Sequence, residues 1–201
     1  NKKINGEFHL FEPVNKYLNF SKKYLENYDN IKFINYGLGE KLDEKIIYID
    51  TKESSEYSLK LKPKWCDKCN RRCKREKCKR KFDINYGWNT MIESKANEKM
   101  EKSQVKIITL DSYCLENNIE KIDFVKIDTE GYESFIIKGF LNTLKKLKKK
   151  PFILIELGWG ISHPNWDESL KVFNELFNIG YKKIDLNFKR TTDVLFEPIN
   201  N

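Results

Sequence analysis

The segment Ile122–Gly131 constrains the fold of this chain more than any other. Its first half is mostly apolar, which is typical of a central parallel strand that is covered on both faces. Gly131 then permits a tight turn into a helix. Lys126, Asp128 and Glu130 lie at the carboxyl end of this strand, where ligands bind in open α/β sheets. Two carboxylates and an ammonium at that position indicate chemistry rather than packing.

Strands and helices alternate on both sides of this segment. The other predicted strands are Phe8–Phe11, Ile31–Tyr36, Val105–Ile108 and Phe152–Leu157. Apolar residues at helical spacing predict helices after the first strand, after Gly131 and before Gly180. Two extended runs, 181–188 and 192–196, predict a C-terminal antiparallel hairpin. The pattern predicts one α/β domain over residues 1–201, with a mostly parallel sheet.

Five motifs occur in order along the chain: Phe11-Glu-Pro13, Gly37-Leu-Gly39, Thr109-Leu-Asp111, Lys126-Ile-Asp-Thr-Glu-Gly131 and Ile153-Leu-Ile-Glu156. Together they resemble the FkbM family of S-adenosylmethionine-dependent methyltransferases. The resemblance covers nearly the whole chain apart from roughly residues 55–104. It implies a Rossmann-like methyltransferase fold and methyl transfer to a hydroxyl, most often that of a sugar or glycan.

The start of the chain departs from the family pattern. Members of the family begin with a strand and a Gly-rich turn of the type Asp-x-Gly-Ala-Asn, which contacts the cofactor. Here Phe11-Glu-Pro13 comes too early to leave room for that strand. We expect that the chain is a fragment whose Gly-rich turn lies upstream. The alternative is a degenerate domain that does not bind the cofactor.

The resemblance also assigns the cofactor-binding residues. Glu12, at the end of its strand, is expected to accept hydrogen bonds from the ribose hydroxyls of S-adenosylmethionine. The alternative for Glu12 is a carboxylate that favours a helix N-terminus. Gly37 and Leu38 are expected to let the backbone approach the adenine ring; otherwise they only form a turn.

The catalytic candidates follow from the chemistry of methyl transfer. A hydroxyl acceptor needs a base to remove its proton, or a divalent metal ion to lower its pKa. Asp128 is the first candidate for the base or metal ligand, and Glu130 is the second or shapes the turn. Lys126 lies on the same side of the strand as Asp128 and would keep it ionised or stabilise an oxyanion. The alternative is a buried ion-pair cluster.

Glu156 ends the neighbouring strand and is expected to face the same cleft as a substrate-binding residue. The loop that follows it contains Trp159, which would stack on a sugar face, and His163. Histidine titrates near neutral pH and suits a base, although a single loop histidine before proline is more often structural.

Residues 62–81 differ in composition from the rest of the chain. They hold 11 Lys or Arg and 2 acidic residues, a local charge of +9, whereas the remaining 27 basic and 28 acidic residues give −1. We therefore interpret 62–81 as a basic insert in a neutral domain. It suits nucleic acid or another polyanion, or it covers the acceptor cleft, or it is a solvated loop.

The basic insert contains Cys66, Cys69, Cys73 and Cys78. Four thiolates can complete a tetrahedral zinc shell and hold a small polar insert folded. Two disulfides, free thiols, or a zinc shell completed elsewhere in the chain are the alternatives.

Two functions of different kinds follow from the sequence. The first is an O-methyltransferase that acts on a sugar hydroxyl. The second is a non-catalytic module of the same fold that binds a polyanion through the basic insert. No apolar run approaches the roughly 20 residues that span a bilayer, so no membrane span and a cytoplasmic location are predicted.

Overall fold

The computed structural model describes residues 6–50, 65–66, 71–72, 89–93, 96, 100–157, 160–186 and 192–199. Trp159 and most of the basic insert lie outside these residues. Of the four insert cysteines, only the backbone of Cys66 is described, in a short strand. The predicted zinc shell and the predicted polyanion-binding surface therefore remain predictions.

The described elements include a run of consecutive strands between two regions where strands and helices alternate. They are β1 (Phe8–Phe11), α1 (Asn15–Tyr24), β2 (Ile31–Ile34), β3 (Gly37–Leu38), β4 (Asp43–Asp50), β5 (Trp65–Cys66), β6 (Arg71–Arg72), β7 (Met100–Ile108), α2 (Leu110–Glu116), β8 (Phe124–Ile127), α3 (Glu133–Lys138), α4 (Leu141–Lys146), β9 (Phe152–Leu157), a 3₁₀ turn (Gly160–Ser162), α5 (Trp166–Asn178) and β10 (Thr192–Phe196). The chain is thus a mixed α/β protein, as predicted.

Strand pairing is more antiparallel than predicted. Among the described strands, β1–β2, β3–β7 and β8–β9 pair in parallel, whereas β4–β7, β9–β10 and β5–β6 pair antiparallel. The prediction of a mostly parallel sheet is therefore wrong for this part of the chain. The largest departure is the β4–β7 pair, which brackets the basic insert and runs from Asp43 opposite Ile107 to Asp50 opposite Met100.

The predicted C-terminal hairpin is also corrected. β10 pairs antiparallel with β9, not with residues 181–186, which meet the end of the chain through a single bridge between Tyr181 and Pro198. Val194 and Phe196 on β10 are buried beside the inward residues of β9. Extending this apolar face is the physical reason for the pairing, because a hairpin outside the sheet would leave both residues exposed.

Within the described part of the chain, only one face of the β8–β9–β10 sheet is fully covered. Its inner side chains lie in one core cluster with residues of α3, α4 and α5, such as Ile136, Leu144 and Leu176. On the opposite face Phe124 is 54% exposed, Phe152 38% and Leu195 40%. The prediction that β8 is covered on both faces is therefore wrong. Side chains alternate along a strand, so the same alternation brings Lys126 to the open face with Phe124.

The helix predicted after Gly131 is two helices, because the chain turns at Gly139. The carbonyl oxygen of Gly139 accepts a hydrogen bond from the backbone N–H of Asp111 at 2.8 Å. The Asp111 carboxylate in turn accepts from the backbone N–H groups of Asn142, at 3.3 Å, and Thr143, at 2.7 Å. Asp111 therefore caps the first turn of α4 from a different helix.

Within the described ranges, no helix has both the length and the apolar character that crossing a membrane requires.

Candidate active site

Three carboxylates form a row at one end of the β8–β9–β10 sheet. Ile127 on β8 lies opposite Ile155 on β9, so the same register continues to Asp128 opposite Glu156. On the other side of β9, Asp193 on β10 lies opposite Glu156. The structure therefore brings together Asp128 and Glu156, which the sequence predicted to share a cleft, and adds Asp193.

Lys126 and Asp128 form an ion pair on the open face of the sheet. The Lys126 Nζ donates to Asp128 Oδ2 at 2.8 Å. The Lys126 side chain is 53% exposed and that of Asp128 is 38% exposed, so this is not a buried ion-pair cluster. Both groups are within reach of a ligand that binds over this face.

The hydrogen bonds of Asp128 keep it ionised. Partial burial raises the pKa of Asp128, but hydrogen bonds from Lys126 and Glu156 outweigh burial and hold the pKa below its usual value. The hydrogen bond to Asp128 also raises the pKa of Lys126. This agrees with one of the two predicted roles of Lys126, to stabilise the charge of Asp128.

Glu156 is the proton-carrying partner of Asp128. Its hydrogen bond with Asp128 raises the pKa of Glu156 to about 7, with further contributions from burial and from the charges of Asp128 and Asp193. The charge of Lys126 opposes this increase. Two carboxylates that share a hydrogen bond do not both ionise readily, so below about pH 7 Glu156 holds the proton and donates it to Asp128.

Glu130 lies in the turn after β8 with a left-handed backbone. Its φ is 51° and that of Gly131 is 98°. A left-handed φ is uncommon for a residue that carries a Cβ, so surrounding contacts must hold Glu130 there. The Glu130 carbonyl oxygen accepts a hydrogen bond from Thr90 Oγ1 at 3.0 Å. Glu130 thus shapes the turn through its backbone, which is one of its two predicted roles.

His163 lies against this turn and is only 6% exposed. Its Nε2 is 2.8 Å from the carbonyl oxygen of Gly131, and its Nδ1 accepts from the backbone N–H of Asn165 at 3.0 Å. Since the N–H of Asn165 can only donate, Nδ1 is unprotonated and Nε2 carries the hydrogen. Both ring nitrogens are therefore engaged with backbone, which favours the structural alternative for His163.

Glu12 follows β1 and is fixed at the start of α1. Its Oε1 accepts a hydrogen bond from the backbone N–H of Val14 at 2.8 Å, so the helix N-terminus does contact this carboxylate. Burial raises the pKa of Glu12, and the Val14 hydrogen bond partly offsets the effect. Asn35, after β2, donates to the carbonyl oxygens of Glu12 and Pro13 at 3.0 and 2.9 Å. This neighbouring strand end therefore holds the Glu12 backbone in place.

Gly37 and Leu38 form a strand rather than a turn. They pair in parallel with Ile107 and Ile108 of β7. A Cβ at Gly37 would lie 2.6 Å from Ile107 Cδ1 and 3.5 Å from Pro13 Cβ, so a larger residue here would displace the end of the Ile107 side chain. The packing joins β3 to Pro13, beside Glu12, which assembles a second group of predicted residues around Glu12.

A shallow depression of about 180 Å³ contains none of the predicted site residues. It is lined by Glu40, Lys41, Asp43, Lys45, Ile107 and Tyr132. Burial, together with the charges of Glu40 and Asp43, raises the pKa of Tyr132 to about 12. Tyr132 is therefore an un-ionised phenol at neutral pH.

The sequence analysis missed three residues near the site: Thr90, Glu133 and Asp193. Asp193 precedes the apolar run Val194–Phe196 of β10, and this sequence identifies a strand but not the partner of Asp193. In the sequence Glu133 resembles any acidic residue in the first turn of a helix, so nothing distinguishes it as a residue that binds the turn. Thr90 has no sequence signal, because its contact with Glu130 spans 40 residues.

Among the residues that the structure describes, no group of three or more His, Cys, Asp or Glu side chains is arranged to hold a metal ion. The divalent metal predicted for the active site stays a prediction.

Comparisons with known proteins match this chain to one family. A profile described as methyltransferase FkbM domain matches residues 1–183. Among solved structures, the crystal structure of methyltransferase FkbM from Methylobacillus flagellatus KT is similar, with a TM-score of 0.47 and 13% sequence identity. That alignment covers 94% of this chain and 36% of that chain. No curated protein matches at a significant level.

Proposed function

The chain belongs to the FkbM methyltransferase family, and on this premise we propose that it takes part in S-adenosylmethionine-dependent O-methylation of a sugar or glycan hydroxyl. The observation that carries the proposal is the Asp128–Glu156 pair at the carboxyl ends of two adjacent parallel strands. In α/β sheets of this kind, ligands bind beyond those strand ends. The proposed Rossmann-like arrangement of the complete domain rests on the same family membership.

The carboxylate pair supplies a proton acceptor for this reaction. S-adenosylmethionine, when bound, supplies a methyl group whose carbon bonds to the acceptor oxygen while the electrons of the carbon–sulfur bond remain on sulfur, leaving S-adenosylhomocysteine. The proton released from the hydroxyl passes to the Asp128–Glu156 pair. The pKa of Glu156, near 7, is well matched to general base catalysis at neutral pH. Lys126 keeps the Asp128 member of the pair charged.

The pH dependence of methyl transfer tests the pair. Below about pH 7 Glu156 is protonated, so the pair already holds one proton and accepts a second poorly. We therefore expect the rate to rise with pH and to level off above about 7, and Glu156→Gln to remove this inflection. The measurement is transfer of a labelled methyl group from S-adenosylmethionine to a glycan acceptor as a function of pH.

Asp193→Asn is the graded control for this experiment. The charge of Asp193 contributes to the raised pKa of Glu156, so removing that charge should move the inflection of the rate to lower pH without abolishing it. An identical profile for the unmodified protein and Glu156→Gln would contradict the role of the pair.

The residues around Glu12 fit a ribose. The carboxylate is held by Val14 and partly buried, which provides the fixed acceptor that two ribose hydroxyls require. Among the described residues, no hydrogen bond is made to its Oε2. Glu12 would bind the ribose through that oxygen, and the backbone at Gly37 and Leu38 would lie near the adenine.

Replacing Glu12 with Gln should weaken binding of S-adenosylhomocysteine by about 10- to 100-fold, because a hydrogen bond to a charged acceptor contributes roughly 1.5–3 kcal/mol. Isothermal titration calorimetry measures the affinity. Glu7→Gln is the matched control, since Glu7 is an exposed residue near the start of the same strand and pairs with Lys32. Equal affinities for Glu12→Gln and Glu7→Gln would contradict the assignment.

The experiment that tests the function is the same titration on two chains. One is the 201-residue chain, and the other is this chain extended by any residues that its gene encodes before Asn1. Binding by the longer chain alone would support the proposal that a Gly-rich turn upstream completes the cofactor site. Binding by neither chain would contradict it and favour the non-catalytic polyanion-binding module, with the basic insert as its binding surface.

Several parts of the proposal concern residues outside the described ranges. Trp159 would stack on the acceptor sugar, and the basic insert would either cover the acceptor cleft or bind a polyanion. Cys66, Cys69, Cys73 and Cys78 would hold a structural zinc ion in that insert. The proposed location is the cytoplasm.

A further inference from the structure

The turn that follows Asp128 is unusually well fixed by side chains from elsewhere. Two consecutive residues, Glu130 and Gly131, have left-handed backbones. A turn of this kind directs its backbone N–H and C=O groups away from the regular ladder of the sheet, so they need other partners. Three side chains supply those partners: Glu133 from α3, Thr90 from the segment before β7, and His163 from the loop before α5.

Glu133 binds the N–H side of the turn. One oxygen, Oε1, accepts from the backbone N–H of Gly131 at 2.9 Å, from the backbone N–H of Thr129 at 3.2 Å and from Thr129 Oγ1 at 3.2 Å. Glu133 is only 4% exposed. Burial raises its pKa, and these hydrogen bonds partly offset the increase. A carboxylate that served only the dipole of α3 would lie at the surface, where no desolvation opposes it.

Thr90 and His163 bind the C=O side of the turn. Thr90 is 3% exposed and donates to the Glu130 carbonyl at 3.0 Å. Thr90 is itself anchored, because its backbone exchanges two hydrogen bonds with Tyr48 and its Oγ1 accepts from the N–H of Ile92. His163 donates to the next carbonyl, that of Gly131.

We propose that Glu133, Thr90 and His163 are positioning residues that together hold the Asp128 carboxylate against Glu156. This inference rests on the proposed function, because it assigns a purpose to the site that the carboxylate pair defines. Asp128 directly precedes Thr129, the first residue that Glu133 binds, so the direction of the turn sets where the Asp128 side chain leaves the strand. His163 acts in its neutral form with the hydrogen on Nε2, and it takes no proton from the acceptor.

The test is the ionisation of Glu156, followed by NMR of its side-chain carboxyl carbon during a pH titration. In the unmodified protein Glu156 is expected to titrate near pH 7, because Asp128 lies beside it. In Glu133→Ala and in His163→Ala, the displaced Asp128 should let the Glu156 midpoint fall towards its ordinary value of 4.5. The same variants should lose about 100-fold in methyl transfer, as expected for a displacement of about 1 Å.

Ser169→Ala is the matched control. Ser169 Oγ donates to Ser134 Oγ at 3.0 Å, so this buried hydrogen bond joins α5 to α3 without contacting the turn. The variant should lose thermal stability yet keep the Glu156 midpoint and the methyl-transfer rate. Glu133→Gln, which retains the accepting oxygen, should recover most of the rate and of the raised midpoint that Glu133→Ala loses.

The outcomes separate this inference from the function it rests on. A Glu156 midpoint that stays near pH 7 in folded Glu133→Ala and His163→Ala would overturn the positioning role and leave the carboxylate pair intact. Glu133→Gln as impaired as Glu133→Ala would also overturn it, because charge rather than geometry would then matter. A midpoint near 4.5 in the unmodified protein would contradict the pair itself. If Glu133→Ala does not fold, the Glu156 midpoint and the methyl-transfer rate are measured in Glu133→Gln and His163→Gln and compared with those of His163→Ala. These values decide between the same alternatives.

Discussion

Replacement of Asp128 with Asn is expected to slow methyl transfer by about 100- to 10,000-fold, the usual contribution of a positioned general base. Asn has nearly the same shape and keeps an oxygen for Lys126 Nζ, which lies 2.8 Å from Asp128 Oδ2. It cannot take a proton or serve as the charged partner of Glu156. The expected loss is in turnover, because the residues assigned to the cofactor surround Glu12.

Two measurements accompany the rate of Asp128→Asn. Calorimetric titration of S-adenosylhomocysteine should give an unchanged affinity, and the Glu156 carboxyl should titrate below the value near pH 7 that is expected for the unmodified protein. Asp123→Asn is the matched control, because Asp123 lies just before β8, is 68% exposed and pairs with Lys121. Activity that survives Asp128→Asn would show that the Asp128–Glu156 pair is not the proton acceptor.

The sequence predicts those elements in which the apolar residues follow a single period, that of a helix or that of a strand. β8 and β9 are found where the Ile122–Gly131 and Phe152–Leu157 runs indicate, and α5 ends just before Gly180, whose φ is 107°. Each of these elements buries one continuous apolar face, and its period follows directly from the sequence. What sequence alone could not decide was whether the second face is also covered. That depends on which other elements pack against it.

The β4–β7 pair shows where local pattern fails. In most of its eight cross-strand pairs a polar or charged residue faces an apolar one, such as Asp43 opposite Ile107, and Glu44 opposite Lys106 is the one pair of opposite charges. Only a small second core cluster, which includes Ile47, Ile49 and Val105, lies behind them in the described part of the chain. The apolar run Ile46–Ile49 indicates a strand, but its partner lies in a distant part of the sequence, so the pairing and its antiparallel direction do not follow from the local pattern.

The sequence predicted several residues that belong to the candidate site but not which of them contact one another. Asp128 and Glu156 both follow from the rule that functional residues lie at the carboxyl ends of parallel strands. Their proton sharing depends on strand register, which the motifs do not specify. Asp193 was missed because β10 was assigned to a hairpin with residues 181–188. The contacts of Thr90, Glu133 and His163 with the turn are tertiary and leave no period in the sequence.

Gly139 carries the largest expected effect on stability. A Cβ at this position would lie 2.0 Å from the carbonyl oxygen of Gly39, 3.0 Å from its carbonyl carbon and 3.2 Å from the Cα of Glu40. All three are backbone atoms, so no side-chain rotation relieves the clash. Gly139→Ala should therefore lower the free energy of unfolding by about 3 kcal/mol, at the upper end for overpacking. For a chain of this size the melting temperature should fall by roughly 6–12 °C.

Gly180→Ala separates steric clash from backbone strain. Gly180 has a φ of 107°, but a Cβ added there would lie 4.0 Å from its nearest neighbour, Lys150 Cε. Its expected loss is only about 1–2 kcal/mol, from the left-handed backbone alone. Thermal and denaturant unfolding of both variants give the comparison. Because the Gly139 carbonyl also binds Asp111, which caps α4, a shift at Gly139 is transmitted to two helices. Equal stability of the two variants would mean that α3 does not pack against the Gly39 backbone, and the placement of the turn before α3 would have to be revised with it.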